Sequence, residues 1–130
     1  MDITNKKPLV FIVEDNKAYR ILLARIIEKK GYVVMLFEHG RKAIDMIKYC
    51  KPTLILSDIE MPVMNGFELY QFIEKHYPTL NIPFVYISSS TSLEEIEHAS
   101  KLSRRGVLGK PVNPEELLVT INEALSHASA

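Results

Sequence analysis

Thr53-Leu54-Ile55-Leu56-Ser57-Asp58-Ile59-Glu60-Met61-Pro62-Val63-Met64-Asn65-Gly66 is the stretch whose reading decides the fold. Its apolar start is too short for a helix and ends on a carboxylate, after which Pro62 and Gly66 force the chain to turn. Asp58 is therefore predicted at the C-terminal tip of a strand. In an open α/β sheet the ligand crevice lies outside the carboxyl ends of the strands, so an acid at such a tip is a site candidate as well as a turn former.

Upstream, residues 8–13 make a second continuous apolar run, the pattern of a strand buried on both faces, and it ends in Glu14-Asp15. Tyr19, Leu22, Leu23, Ile26 and Ile27 then recur at helical spacing, which predicts one buried helix face closed by Gly31. A strand over 32–37 and a helix over 41–49, with Ala43, Ile44 and Ile47 inward and Pro52 as its stop, precede the decisive stretch. Downstream, Phe67, Leu69, Tyr70, Phe72 and Ile73 mark a third helix ending before Pro78, and 83–87 is a fourth strand running into Ser88. Ser92 with Glu95 reads as a capping box opening a helix over 93–102. A short strand over 106–109 meets Lys110-Pro111. Asn113-Pro114-Glu115-Glu116 then starts a last helix, with cap, proline and acids where the dipole favours them. Leu117, Leu118, Ile121, Ala124 and Leu125 form its inner stripe. Five consecutive βα units predict an α/β fold: a doubly wound, five-stranded parallel sheet, (βα)5, with helices on both faces.

Composition narrows the function. The 130 residues are 47% apolar and 25% charged, which suits one globular domain. Sixteen basic and sixteen acidic residues cancel, against a surface devoted to nucleic acid. The single Cys50 forms no internal bridge, and no signal-like N-terminal segment is present, so the expected compartment is the cytoplasm. No apolar run approaches the length of a membrane span. His39, His76, His98 and His127 are scattered without zinc spacing and read as surface residues.

The strand ends, taken together, carry the chemistry. Strand 1 ends in Glu14-Asp15, strand 3 in Asp58, strand 4 in Ser88 and strand 5 in Lys110. Neighbouring strands lie about 5 Å apart. Two ionised carboxylates about 4 Å apart repel by roughly 4 kcal/mol at an effective dielectric of 20, or about three pKa units. A shared proton, a lysine or a divalent cation must offset that, and three clustered acids suit the all-oxygen coordination of Mg²⁺.

With these residues in place, the chain resembles the receiver domain of a two-component response regulator, of the single-domain, chemotaxis-regulator type. The likeness covers residues 8 to about 126, within one domain over 1–130. It rests on Glu14-Asp15, Asp58 followed by Met61-Pro62 and Gly66, Ser88, and Lys110-Pro111, in order. The resemblance implies the flavodoxin-like strand order 2-1-3-4-5. It also implies that Asp58 accepts a phosphoryl group from a histidine of a sensor kinase or phosphotransfer protein. Mg²⁺ would be held by Glu14, Asp15, Asp58 and the backbone carbonyl of Glu60, with Ser88 and Lys110 neutralising phosphoryl oxygens. Glu60 and Ser90, each two residues past a site residue, would tune phosphoryl lifetime, and the Lys110-Pro111 peptide would be cis. Such a domain is no enzyme beyond its own phosphorylation and dephosphorylation.

Two departures bear on output. The aromatic that the family places three residues before the lysine is here Val107, and its usual glycine seven residues before the lysine is Ser103. Val107 is too short and stiff to sweep the space an aromatic would fill. The conformational response is therefore expected in the loop over 89–92 and the helix after it, whose end carries Lys101, Arg104 and Arg105. That basic edge, with strand 5 and the last helix beside it, is the expected surface for a downstream protein target or a second copy of the chain. Two other readings compete. A flavin or nucleotide module would need a Gly-, Ser- or Thr-rich loop after strand 1, where Glu14-Asp15 would repel phosphate. A Mg²⁺-dependent phosphatase with an Asp nucleophile could use Glu60 as an acid, although a chain this short leaves no cap domain.

Overall fold

The computed structural model describes residues 7–89 and 107–129. In chain order these form β1 (Leu9–Val13), α1 (Lys17–Glu28), β2 (Val33–Phe37), α2 (Gly40–Ile47), β3 (Leu54–Asp58) and α3 (Gly66–His76). A 3-10 turn (Pro78–Leu80), β4 (Phe84–Ser88), β5 (Val107–Gly109) and α4 (Pro114–Ser129) complete them. The helix expected over 93–102, together with Ser90, Lys101, Arg104 and Arg105, lies outside the described residues. The five strands make one parallel sheet in the order β2-β1-β3-β4-β5.

Alternation along the strands explains why they read as unbroken apolar runs. Phe11, Val13, Ile55, Phe84 and Tyr86 face α2 and α3, packing with Ala43, Ile44, Ile47, Leu69 and Ile73. Val10, Ile12, Leu54, Leu56, Val85, Ile87 and Leu108 face α1 and α4, meeting Leu23, Ala24, Ile27, Leu117, Ile121 and Ala124. Each strand therefore needs apolar side chains on both faces. The chain passes from β1 outward to β2 and then back across β1 to β3. The crevice between the carboxyl ends of β1 and β3 is thus the switch point of the sheet.

Helix ends follow local chemistry. The Asn16 side chain accepts from the Tyr19 amide at 2.9 Å and starts α1. Gly31 after α1 has φ +89, the left-handed conformation that glycine tolerates. Asn65 and Glu68 form a reciprocal capping box at α3, and Asn113 caps α4 through the Glu116 amide at 3.1 Å. Two expectations change. Leu22 is not on the buried face of α1 but half exposed, because the stripe that meets the sheet is the narrower Leu23, Ala24 and Ile27. And α2 stops at Ile47, with Lys48 as its cap, well before Pro52.

The loop from β3 to α3 is held by two opposed backbone requirements. Gly66 approaches so closely that an added Cβ would fall 2.6 Å from the Asp58 carbonyl oxygen and 3.0 Å from the Ile59 Cα. Its amide donates to the Ile59 carbonyl at 2.9 Å. Val63, in contrast, is a fully exposed β-branched residue at φ 68, bridged by a 2.7 Å bond from the Met64 amide to the Pro62 carbonyl. That is the strained form of a three-residue turn. Opposite outcomes are expected at the two positions. Gly66→Ala should lower unfolding free energy by about 1–3 kcal/mol through overpacking against backbone. Val63→Gly should leave it unchanged or raise it by up to about 1 kcal/mol, since relief of roughly 1–2 kcal/mol of strain outweighs the entropy of the new glycine. Urea denaturation of both variants checks the signs.

Candidate functional site

The sheet ladder runs one residue beyond the strands and so fixes the backbone of the site. The Glu14 amide donates to the Phe37 carbonyl at 3.0 Å, the Ile59 amide to Ile87 at 2.9 Å, and the Lys110 amide to Ser88 at 2.8 Å. Glu14, Asp58 and Lys110 thereby leave β1, β3 and β5 at one edge of the sheet. Glu14, Asp58 and Ser88 are only 1%, 3% and 2% exposed, so each polar group there must find a partner within the protein.

Lys110 is the partner shared by the acids. Its Nζ lies 2.7 Å from Glu14 Oε1 and 3.0 Å from Asp58 Oδ2, and sits 4.7 Å above the centre of the Tyr19 ring. One cation bridging two buried carboxylates offsets part of their mutual repulsion and of their desolvation, which costs several kcal/mol per ion. The Lys110-Pro111 peptide that follows is cis. Glu14 Oε2 accepts the Asn16 amide at 3.0 Å, and the Glu60 amide donates to Asp58 Oδ1 at 3.2 Å.

Protonation reflects this burial. Loss of solvent, only partly countered by the Lys110 bond, raises the Glu14 carboxyl from 4.5 to about 7. The same desolvation raises Asp58, with Lys110 opposing and the Glu60 charge adding to the rise. For Lys110 burial works downward, but the bonds to Glu14 and Asp58 outweigh it and the ammonium is held above its ordinary value. Glu14, exposed Asp15 and Asp58 each offer a carboxylate oxygen, and these lie within 4.8 Å of one another. An all-oxygen set of this kind fits a hard divalent cation.

Ser88 and Glu60 form the other half of the site, in an arrangement that the sequence reading misses. The Glu60 carboxylate accepts the Ser88 hydroxyl at 3.0–3.1 Å, and at 2.8 Å each the Ser89 amide and hydroxyl. Also unforeseen are Arg20, which donates to the Glu14 carbonyl at 2.7 Å, and Tyr19, whose hydroxyl accepts the Val112 amide at 2.8 Å beside Lys110. Tyr19 shows in the sequence only as a helix-face residue, because its second role needs a partner 93 residues away. Val107 is half-buried and in register with Tyr86 of β4. The ring of Tyr86 is fully buried against Phe67 and Phe84, and its hydroxyl has no hydrogen-bond partner among the described residues. Burial raises its phenol above the ordinary value. The large aromatic at this depth therefore stands on β4, not on β5.

Comparison with known proteins places this geometry. Residues 10–122 match the family model of the response regulator receiver domain. The protein PilH of Pseudomonas aeruginosa is 31% identical over 117 residues, covering 90% of this chain and 97% of PilH. The DNA-binding transcriptional regulator NtrC of Proteus hauseri is 31% identical over 122 residues, 94% of this chain, which spans only 25% of NtrC. Among solved structures, the chemotaxis protein CheY4 of Vibrio cholerae superposes with a TM-score of 0.83 at 28% identity, covering 92% of this chain and 99% of that one. Among the described residues no helix is long and apolar enough to cross a membrane. The strand order, the buried acids bridged by Lys110 and these matches together make the chain a member of the response regulator receiver domain family of two-component signalling systems.

Proposed function

We propose that Asp58 is the phosphoacceptor, taking a phosphoryl group from the phosphohistidine of a sensor kinase or histidine phosphotransfer protein and so switching contacts with a downstream protein. The observation that carries this reading is the position of Lys110, whose ammonium touches both Asp58 and Glu14 at 3.0 and 2.7 Å. A carboxylate oxygen of Asp58 attacks phosphorus, the P–N bond to the donor imidazole breaks, and the imidazole keeps the bonding pair. Lys110, already charged and directed at Asp58, stabilises charge on the phosphoryl oxygens, and the Ser88 hydroxyl is the second donor for them. Glu14, Asp15 and Asp58, with the backbone carbonyl of Glu60, would hold Mg²⁺, which when bound neutralises phosphoryl charge. Glu60 and Ser90 are the residues expected to set phosphoryl lifetime. The face around β5 and α4 is the surface proposed for the target or a second copy of the chain, and Lys101, Arg104 and Arg105, outside the described residues, are the basic residues proposed to serve it.

Three outcomes test this assignment. Incubation with acetyl phosphate and Mg²⁺ should add one phosphoryl mass to the parent, and Asp58→Asn should reduce the modified fraction at least about 100-fold, since the nucleophile is gone. An Asp58→Asn variant modified as readily as the parent removes Asp58 from the role. Asp15→Asn should weaken Mg²⁺ binding by an order of magnitude or more, read by calorimetric titration, because one of three anionic ligands loses its charge.

The third concerns pH without divalent ion. Glu14 and Asp58 have carboxyl groups raised above their unfolded values by burial, so the folded chain binds more protons than the unfolded one between about pH 4.5 and 7. Their stabilising contribution is complete below the unfolded pKa and is lost as pH rises through the folded one. Thermal unfolding in a metal chelator should therefore give a higher Tm at pH 5.5 than at pH 8. Glu14→Gln should flatten that slope, and added Mg²⁺ should restore stability at pH 8.

A further inference from the structure

We infer that the Glu60 carboxylate is a positioning residue: it holds the Ser88 hydroxyl in the unphosphorylated protein and must release it before Ser88 can serve a phosphoryl group on Asp58. This rests on the assignment of Asp58 as acceptor and adds to it a competition for one proton. A serine hydroxyl has a single hydrogen to donate. Here that hydrogen is directed at Glu60, with Ser88 Oγ 3.1 Å from Oε1 and 3.0 Å from Oε2. The same carboxylate draws in the Ser89 amide and hydroxyl, both at 2.8 Å, so the end of β4 is fastened to the loop after β3. These are charge-assisted bonds, roughly twice as strong as neutral ones.

A phosphoryl group on Asp58 would reverse the balance. It brings a charge of about −1.5 to −2 and acceptor oxygens of its own, so the Ser88 hydroxyl gains an alternative anionic partner while Glu60 is repelled. The Glu60 backbone stays in place, because its amide is bonded to Asp58 Oδ1. Its side chain is only partly buried and can turn toward water. Glu60 thus binds one state of the β4 end better than the other, which is what a residue must do to bias a two-state equilibrium. This role differs from steering a hydrolytic water, since it acts on an equilibrium and acts through Ser88.

The test is a double-mutant cycle read by calorimetric titration of the intact chain with beryllofluoride in saturating Mg²⁺. Glu60→Gln should tighten beryllofluoride binding by about ten-fold, the order expected when a charged competitor for the hydroxyl becomes a neutral one. In the Ser88→Ala background the same Glu60→Gln change should tighten binding clearly less, by about two- to three-fold, because only the direct repulsion by the Glu60 charge remains once the contested hydroxyl is absent. Glu60→Ala should act with the same sign as Glu60→Gln. Unchanged or weakened affinity in Glu60→Gln overturns the inference, as does equal tightening with and without Ser88, which would mean direct charge repulsion alone. Failure of the parent to bind beryllofluoride at all would overturn the acceptor assignment itself, and the positioning role with it.

Discussion

One ammonium group joins three strands of the sheet at their carboxyl ends. Lys110 leaves β5, crosses to Asp58 at the end of β3 and reaches Glu14 at the end of β1, with the Tyr19 ring beneath it. Without it, two carboxylates with almost no solvent exposure would face each other across the switch point, at a cost that only a bound proton or another cation could relieve. The raised carboxyl of Glu14 shows that the relief is partial even so. A site held this close to protonation gains from any further positive charge. The three carboxylate oxygens of Glu14, Asp15 and Asp58 gathered there are a set that fits an oxygen-coordinated divalent cation.

Opposite Lys110 stands an anionic centre of a different kind. Glu60 gathers three donors from Ser88 and Ser89, while its own amide is bonded to Asp58. Asp58 is thus flanked by a cation fixed through a long reach from β5 and by a carboxylate fixed through short local bonds. Ladder bonds that run past Val13, Asp58 and Gly109 keep the main chain rigid on both sides. At the β4 end the contacts are instead made largely by side chains, the Ser88 and Ser89 hydroxyls on the Glu60 carboxylate.

Packing around the loop after β3 serves the same end. Gly66 brings the start of α3 against the Asp58 carbonyl, and the Asn65–Glu68 capping box fixes the direction in which the helix departs. Val63 stands at the exposed apex of the same loop with a positive φ. The core below is divided by the sheet into two apolar layers, so the polar cluster is confined to the edge where strands end and helices begin.

How much of this was legible in the sequence depends on the range of each interaction. Strands and helices are written in local periodicity, and the acids, Ser88 and Lys110 each close an apolar run, so the βα order and the members of the site can be read residue by residue. Helix termini were less legible: α2 ends before Pro52, and Leu22 faces outward, because how wide a stripe is buried depends on the neighbour and not on the helix. By itself the sequence determined the alternating elements, the parallel sheet and the residues that meet at its carboxyl edge. The tertiary structure alone decided that Lys110 bridges Glu14 and Asp58, that Glu60 turns its carboxylate to Ser88 and Ser89, and that Tyr86 supplies the buried ring beside Val107. Partners this far apart in the chain, 28 residues for Ser88 and Glu60 and 93 for Val112 and Tyr19, are chosen by strand register and the competition of several donors for few acceptors. No local pattern encodes that choice.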